Sequence, residues 1–181
     1  MPVISQYSLT VEAMPATTVE GTSYRMYVNM QDPTDRMSAV FGNNQTPLEI
    51  SAFNGAYNNS FNSSWSASGI NPMFLPMFPE MADDTYATIG LDGPASTSGV
   101  DGAEDPSLVE DMDQPITPFF QVDGTTYVIA STLTGASYYV LNTAANGLPD
   151  ENLRVLIMQV TTTGDLCGTL NFQIFPLGEG T

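Results

Sequence analysis

The segment SYRMYVNM places Tyr24, Met26, Val28 and Met30 on one side of an extended chain and Ser23, Arg25, Tyr27 and Asn29 on the other. A period of two predicts a strand with one buried face. ISQYSLTVE, RMSAVFG, LEISAF, TYATIGL and SYYVLNT are further short runs rich in β-branched and aromatic residues, bounded by Gly, Pro, Asn or Asp. FFQVDGTTYVIAST predicts a hairpin turning at Asp123-Gly124, with Phe120 across from Tyr127 and Val122 across from Thr125. LRVLIMQVTTTGDLCGTLNFQIFP predicts two long antiparallel strands joined near Thr163-Gly164-Asp165. The first is apolar on both faces, as a central strand is. The second alternates Leu170, Phe172 and Ile174 against Asn171 and Gln173.

The sum is about nine or ten strands and no helical period, which predicts an all-β antiparallel sandwich. The chain length suits one domain over 1–181. VEGTSY (19–24) and VDGTTY (122–127) echo each other. They read either as two related halves or as two good turn sequences.

Two long irregular loops interrupt the strands, at 54–84 and 92–118. The first ends in GINPMFLPMFPEM, whose prolines exclude both a long helix and a central strand. Asn71-Pro72 predicts one capped helical turn that Pro76 stops. Such an apolar loop either plugs an open end of the sandwich or offers Met73, Phe74, Met77 and Phe78 to a neighbouring subunit. Trp65 joins this candidate self-association set, and with Tyr57 and Phe61 it also has the composition of a sugar-stacking platform.

Charge sharpens the picture. The chain has 20 acidic residues, three basic ones and no His, for a net charge of −17. No basic patch can displace counterions from phosphates, so nucleic acid is excluded as a partner. Arg25, Arg36 and Arg154 are the whole cationic supply. Each is expected to meet a carboxylate of its own or a neighbouring chain, and Arg25 sits on the polar face of its strand, within a partner's reach. Without His or Lys there is no imidazole base, Schiff base or P-loop lysine. The lone Cys167 excludes an intrachain disulfide and reads as a small buried hydrophobe beside a turn. No carboxylate pair is marked for glycoside hydrolysis, and the chain is expected not to be an enzyme.

Half of the acidic residues lie between 80 and 113. Asp101, Glu104, Asp105, Asp111 and Asp113 form the candidate calcium set, because calcium takes several hard oxygen ligands. DMDQP departs from the EF-hand loop at once, with Pro115 at the fifth position and no Gly at the sixth. The other reading is a solvated acidic loop that keeps the protein soluble. No further cofactor is implied. The N-terminus lacks the pattern of a secretory signal, and no segment is apolar and long enough to span a membrane. Sequons at Asn44, Asn58 and Asn62 are compatible with secretion and also arise by chance in Asn/Ser-rich loops.

YRMYVNMQDPTDRMSAVFG, GINPMFLPMFPEMADDTYATIGLDGPA, YYVLNTAANGLPDENLRVLIMQVTTTG and GTLNFQIFPLGEG together resemble a repeated β-domain of large, poorly characterised proteins from marine bacteria and unicellular algae. The resemblance spans nearly the whole chain. The segments are also similar to the algal pyrenoid shell protein family, whose β-rich units tile into sheets. Neither resemblance brings catalytic residues. Both imply a structural unit that self-associates into a shell, lattice or matrix. The compartment stays open between a cytosolic chain and a domain of a targeted precursor, extracellular, at the cell surface or in the plastid. The rival expectation is a calcium-dependent carbohydrate-binding or adhesion module, with the acidic loop and Trp65 as its site and a glycan as its ligand.

Overall fold

Alternation in SYRMYVNM buries Met26, Val28 and Met30 in the main core, as its period requires. The computed structural model describes residues 7–179, with eleven strands in two antiparallel sheets. The first sheet runs β1 (Ser8–Pro15), β2 (Thr22–Asn29), β9 (Arg154–Thr162), β4 (Leu48–Ala56) and β10 (Leu166–Thr169). In the same sheet β5 (Tyr86–Ala87) pairs with β9, and β7 (Thr125–Ala130) pairs with β4. The second sheet runs β11 (Asn171–Phe175), β3 (Arg36–Gly42), β8 (Ala136–Tyr139) and β6 (Ser107–Glu110). Their inner faces share one core, including Ile50, Val128, Met37, Val40, Tyr138 and Val160. The architecture is an all-β sandwich, and the helical content of the described residues is confined to short 3-10 turns. The first residues of the ISQYSLTVE run, Ile4 to Gln6, lie outside the described residues.

The apolar character of β9 on both faces has two causes. Met26 pairs with Met158 while Tyr27 pairs with Leu156, so Ile157 is the extra residue of a bulge. Ile157 and Met158 both enter the main core. Leu156 points the other way, with Tyr27, and is covered there by Ala67, Ile70, Tyr86 and the half-buried Leu75. The inward residues of the apolar stretch, Ile70 and Leu75, therefore cover Tyr27 and Leu156 and are not in the main core between the sheets. Part of the 54–84 loop forms an extra layer on the outer face of β2 and β9, where Tyr27 and Leu156 need apolar cover.

Two predicted hairpins are corrected. Residues 163–165 do not reverse the chain. Ala56 faces Thr162 and Ala52 faces Leu166, so β9 and β10 follow one register along β4. The Phe53 N–H donates to the Asp165 carbonyl across the break, at 3.2 Å. Gly164 permits this close approach, since a Cβ there would meet Asn54 Cγ at 2.9 Å. After β10 the chain changes sheet, and Phe172 pairs with Val40 of β3. The second correction concerns Asp123-Gly124. The turn exists, with the Thr125 N–H donating to the Val122 carbonyl and Gly124 at φ +79°. No strand precedes it, because Thr117–Phe120 is a 3-10 turn that buries Phe119 and Phe120. Pro118 has no N–H for a ladder, and it suits the first turn of a helix. β7 pairs instead with β4, placing Tyr127 opposite Ser51. VEGTSY closes the β1–β2 hairpin and enters β2, whereas VDGTTY links a 3-10 turn to β7, so the echo is one of turn chemistry.

Two adjacent carboxylates tie the extra layer down. Asp83 accepts the backbone N–H groups of Thr17, Thr18 and Val19 in the β1–β2 turn, at 2.7, 2.6 and 3.2 Å. Burial opposes its charge, but these donors and the Thr18 hydroxyl hold its pKa below the usual carboxylate range. Asp84 is buried and accepts the Asn59 N–H at 2.7 Å and Asn62 Nδ2 at 2.6 Å. Burial pushes its carboxyl up to about 7, against the pull of these donors. Gln159 of β9 completes the tie by donating to the carbonyls of Ala82 and Asp84 at 2.9 and 2.8 Å.

Candidate functional site: an exposed apolar turn beside an arginine groove

Asn71 opens the turn as a cap, its Oδ1 accepting the Met73 N–H at 2.9 Å. Phe74 N–H donates to the Asn71 carbonyl at 3.0 Å, and Phe78 N–H to the Phe74 carbonyl at 2.8 Å. The turn is thus held by its own backbone, and Leu75 pins it to the layer below. The other side chains project outward. Met73 is 79% exposed, Met77 71% and Phe74 49%. Phe78 is half-buried and stacks on Phe61 with ring centroids 4.0 Å apart. Phe61 is itself 53% exposed, so Met73, Phe74, Met77 and Phe61 present large apolar side chains to solvent beside the half-buried Phe78. Trp65 does not join them. It is half-buried against the main core, its ring 6.1 Å from Tyr138.

The inner wall of this turn lines a groove. Pro72, Leu75, Leu91, Val100, Arg25 and Tyr86 are among the residues around a cavity of about 520 Å³. A second cavity of about 440 Å³ shares Arg25, Leu91, Asp92 and Val100 and runs on to Arg154 and Asp150. Two of the three cations of a strongly acidic chain therefore meet in one groove. Arg25 Nη2 lies 3.6 Å from the Asp92 carboxylate, and its Nε has no acceptor among the described residues. Arg154 is better held. It pairs with Glu12, lies 3.8 Å from Asp150, and stands over the Tyr27 ring at 4.2 Å.

The polar face of β2 is consequently not open to a partner along its length, because the extra layer covers it and leaves Arg25 reachable through the groove. Arg36 meets no carboxylate of its own chain among the described residues, which leaves a neighbouring chain's carboxylate untested. Its Nη1 donates to the Ala144 carbonyl at 3.0 Å. β3 carries it to a place where carbonyls, not carboxylates, end the neighbouring turn.

The acidic residues do not converge. Asp105 accepts the Ala95 N–H, and Asp111 accepts the Thr132 hydroxyl and the Asp113 N–H. Glu104 is fixed through its backbone, its N–H donating to Asn146 Oδ1. Among the described residues no three carboxylate, Cys or His groups come together as a metal site, and this holds for Asp101, Glu104, Asp105, Asp111 and Asp113. Asn58 and Asn62 are buried, and their amides donate to the Phe119 carbonyl and to Asp84. Of the sequons only Asn44, at the β3–β4 turn, is exposed. Cys167 is exposed rather than buried, because β10 turns Leu166 inward and Cys167 outward, opposite Ser51.

No family model, curated protein or solved structure matches this chain. Among the described residues no helix is long and apolar enough to cross a membrane.

Proposed function

We propose that the chain is a non-enzymatic structural domain whose copies associate into a shell, lattice or matrix. The observation that carries this reading is the Met73–Phe74–Met77–Phe61 surface. A fixed backbone presents large apolar side chains to solvent, and such patches serve as contacts. Ordering costs little on binding, because the turn is already set by its cap and its prolines.

A second surface supports extended assembly over a closed dimer. β1 is an eight-residue edge strand whose only strand partner among the described residues is β2. Its Leu9 and Val11 share a face with the core residues Val28 and Met26, yet they are 39% and 48% exposed. An open ladder with a bare apolar face is a template for another strand. Two unlike surfaces on one unit let each copy meet more than one neighbour, the condition for a lattice. The resemblance to tiling β-domains points the same way.

Changing Met73, Phe74 and Met77 together to Ser tests the contact. These side chains are mostly in solvent, so the monomer should keep its melting temperature. Association should weaken by about 2 kcal/mol or more, roughly thirtyfold in the dissociation constant. Sedimentation equilibrium measures both variants. Unchanged association would remove this surface from the assembly.

A further inference from the structure

The groove at Arg25 carries chemistry that self-association does not use. Its guanidinium lies against the Tyr86 hydroxyl at the junction of two cavities; Nε is buried and without an acceptor, and Nη2, the nitrogen nearest a carboxylate, is 3.6 Å from Asp92. That separation is long for a charge-assisted pair, which closes to about 2.7–2.9 Å. The Asp92 side chain is 76% exposed and spends little of its hydrogen-bonding capacity on Arg25. The groove thus presents a cation and an anion side by side, both under-used. Ile70, Leu75, Leu91 and Val100 supply apolar walls beside them.

Charge decides what such a groove can take. At −17 the chain repels anions, and polyanions most of all. Asp92 and Asp150 stand in the groove itself and add to the repulsion. A plain carboxylate would satisfy Arg25 but would be pushed away by Asp92. A molecule with a carboxylate and an ammonium a few ångströms apart satisfies both and carries no net charge into the field. We propose that the groove binds a free α-amino acid with an apolar side chain. The carboxylate lies on Arg25, the ammonium on Asp92, and the side chain against Leu75, Leu91 and Val100. The cavity of about 520 Å³ falls in the range of small-molecule sites. Met73 and Met77 do not line this site, while Pro72 and Leu75 of the same turn do.

The test is titration calorimetry of the full chain with L-leucine, N-acetyl-L-leucine and L-leucinamide. The acetyl derivative lacks the ammonium, and the amide lacks the carboxylate. Leucine should bind saturably, and each derivative should bind about tenfold or more weakly, because each loses one charge-assisted contact. Arg25→Gln and Asp92→Asn should each weaken leucine by a similar factor. Asp92 is exposed, so Asp92→Asn reports on binding even if Arg25→Gln disturbs the fold. Glu49→Gln, exposed in β4 and outside the lining of both cavities, should bind leucine as the parent chain does. The proposal is overturned if leucine shows no saturable binding, if either derivative matches leucine, or if Asp92→Asn binds leucine unchanged.

Discussion

Asp84→Ala is expected to cost about 1–3 kcal/mol of folding stability, because it strands the buried Asn59 N–H and leaves Asn62 Nδ2 only its long bond to the Ser66 carbonyl at 3.4 Å. It also releases the loop that starts the extra layer. The carboxyl itself is a mixed asset, since burial pushes its pKa up to about 7. The unfolded chain releases this proton near pH 4. Between about pH 4 and about pH 7 the native state therefore binds more protons, and this group's contribution to stability falls as pH rises through that window. The full span is at most about 4 kcal/mol. Asp83 acts with the opposite sign, its depressed pKa giving stability that is lost only at lower pH. Urea unfolding at about pH 5 and about pH 8 separates the two. The parent chain should lose more stability over that interval than Asp84→Asn. Equal losses would mean that Asp84 does not titrate there.

Tyr138→Ala is expected to cost roughly 3–5 kcal/mol, the usual penalty for emptying a large aromatic site in a core. Tyr138 stands in β8 of the second sheet and is fully buried. Its hydroxyl crosses the core to the Ile157 carbonyl in β9 of the first sheet, at 2.8 Å. Tyr138→Phe keeps the ring and loses this single bond. Ile157 keeps a second donor, the Thr88 N–H at 3.0 Å, so its carbonyl is not orphaned. The Phe variant should thus lose only about 1 kcal/mol. Paired urea titrations of the two variants check the difference. A Phe variant as weak as the Ala variant would show that the inter-sheet bond, not the packing, dominates.

Local patterning carried much of the fold. The period of two in SYRMYVNM located the core face of β2, and Asn71-Pro72 located a capped turn. What stayed hidden depends on pairing between distant segments. Nothing in TTTGDLCG distinguishes a hairpin from a break along one neighbour, since the difference lies in the register against β4. Asp83 and Asp84 read as members of an acidic run, but their roles come from donors on Thr17, Thr18 and Asn59. The groove was equally illegible. Arg25 comes from β2 and Asp92 from the segment after β5, and they meet because β2 pairs with β9 while β5 and the Thr88 and Gly90 N–H groups bond to the same strand. The apolar turn was legible as an anomaly. Which side chains it exposes depended on Leu75 finding Tyr27 and Leu156 beneath it.

The claim that copies of this chain assemble is tested most directly by sedimentation velocity of the parent chain over a concentration series, at low and at high sodium chloride. Repulsion at −17 per copy opposes association and is screened within about 10 Å at moderate salt, whereas apolar contacts are not weakened by screening. The account predicts a sedimentation coefficient that rises with concentration, and rises further in high salt. A single monomer boundary at every concentration and both salt levels would contradict it.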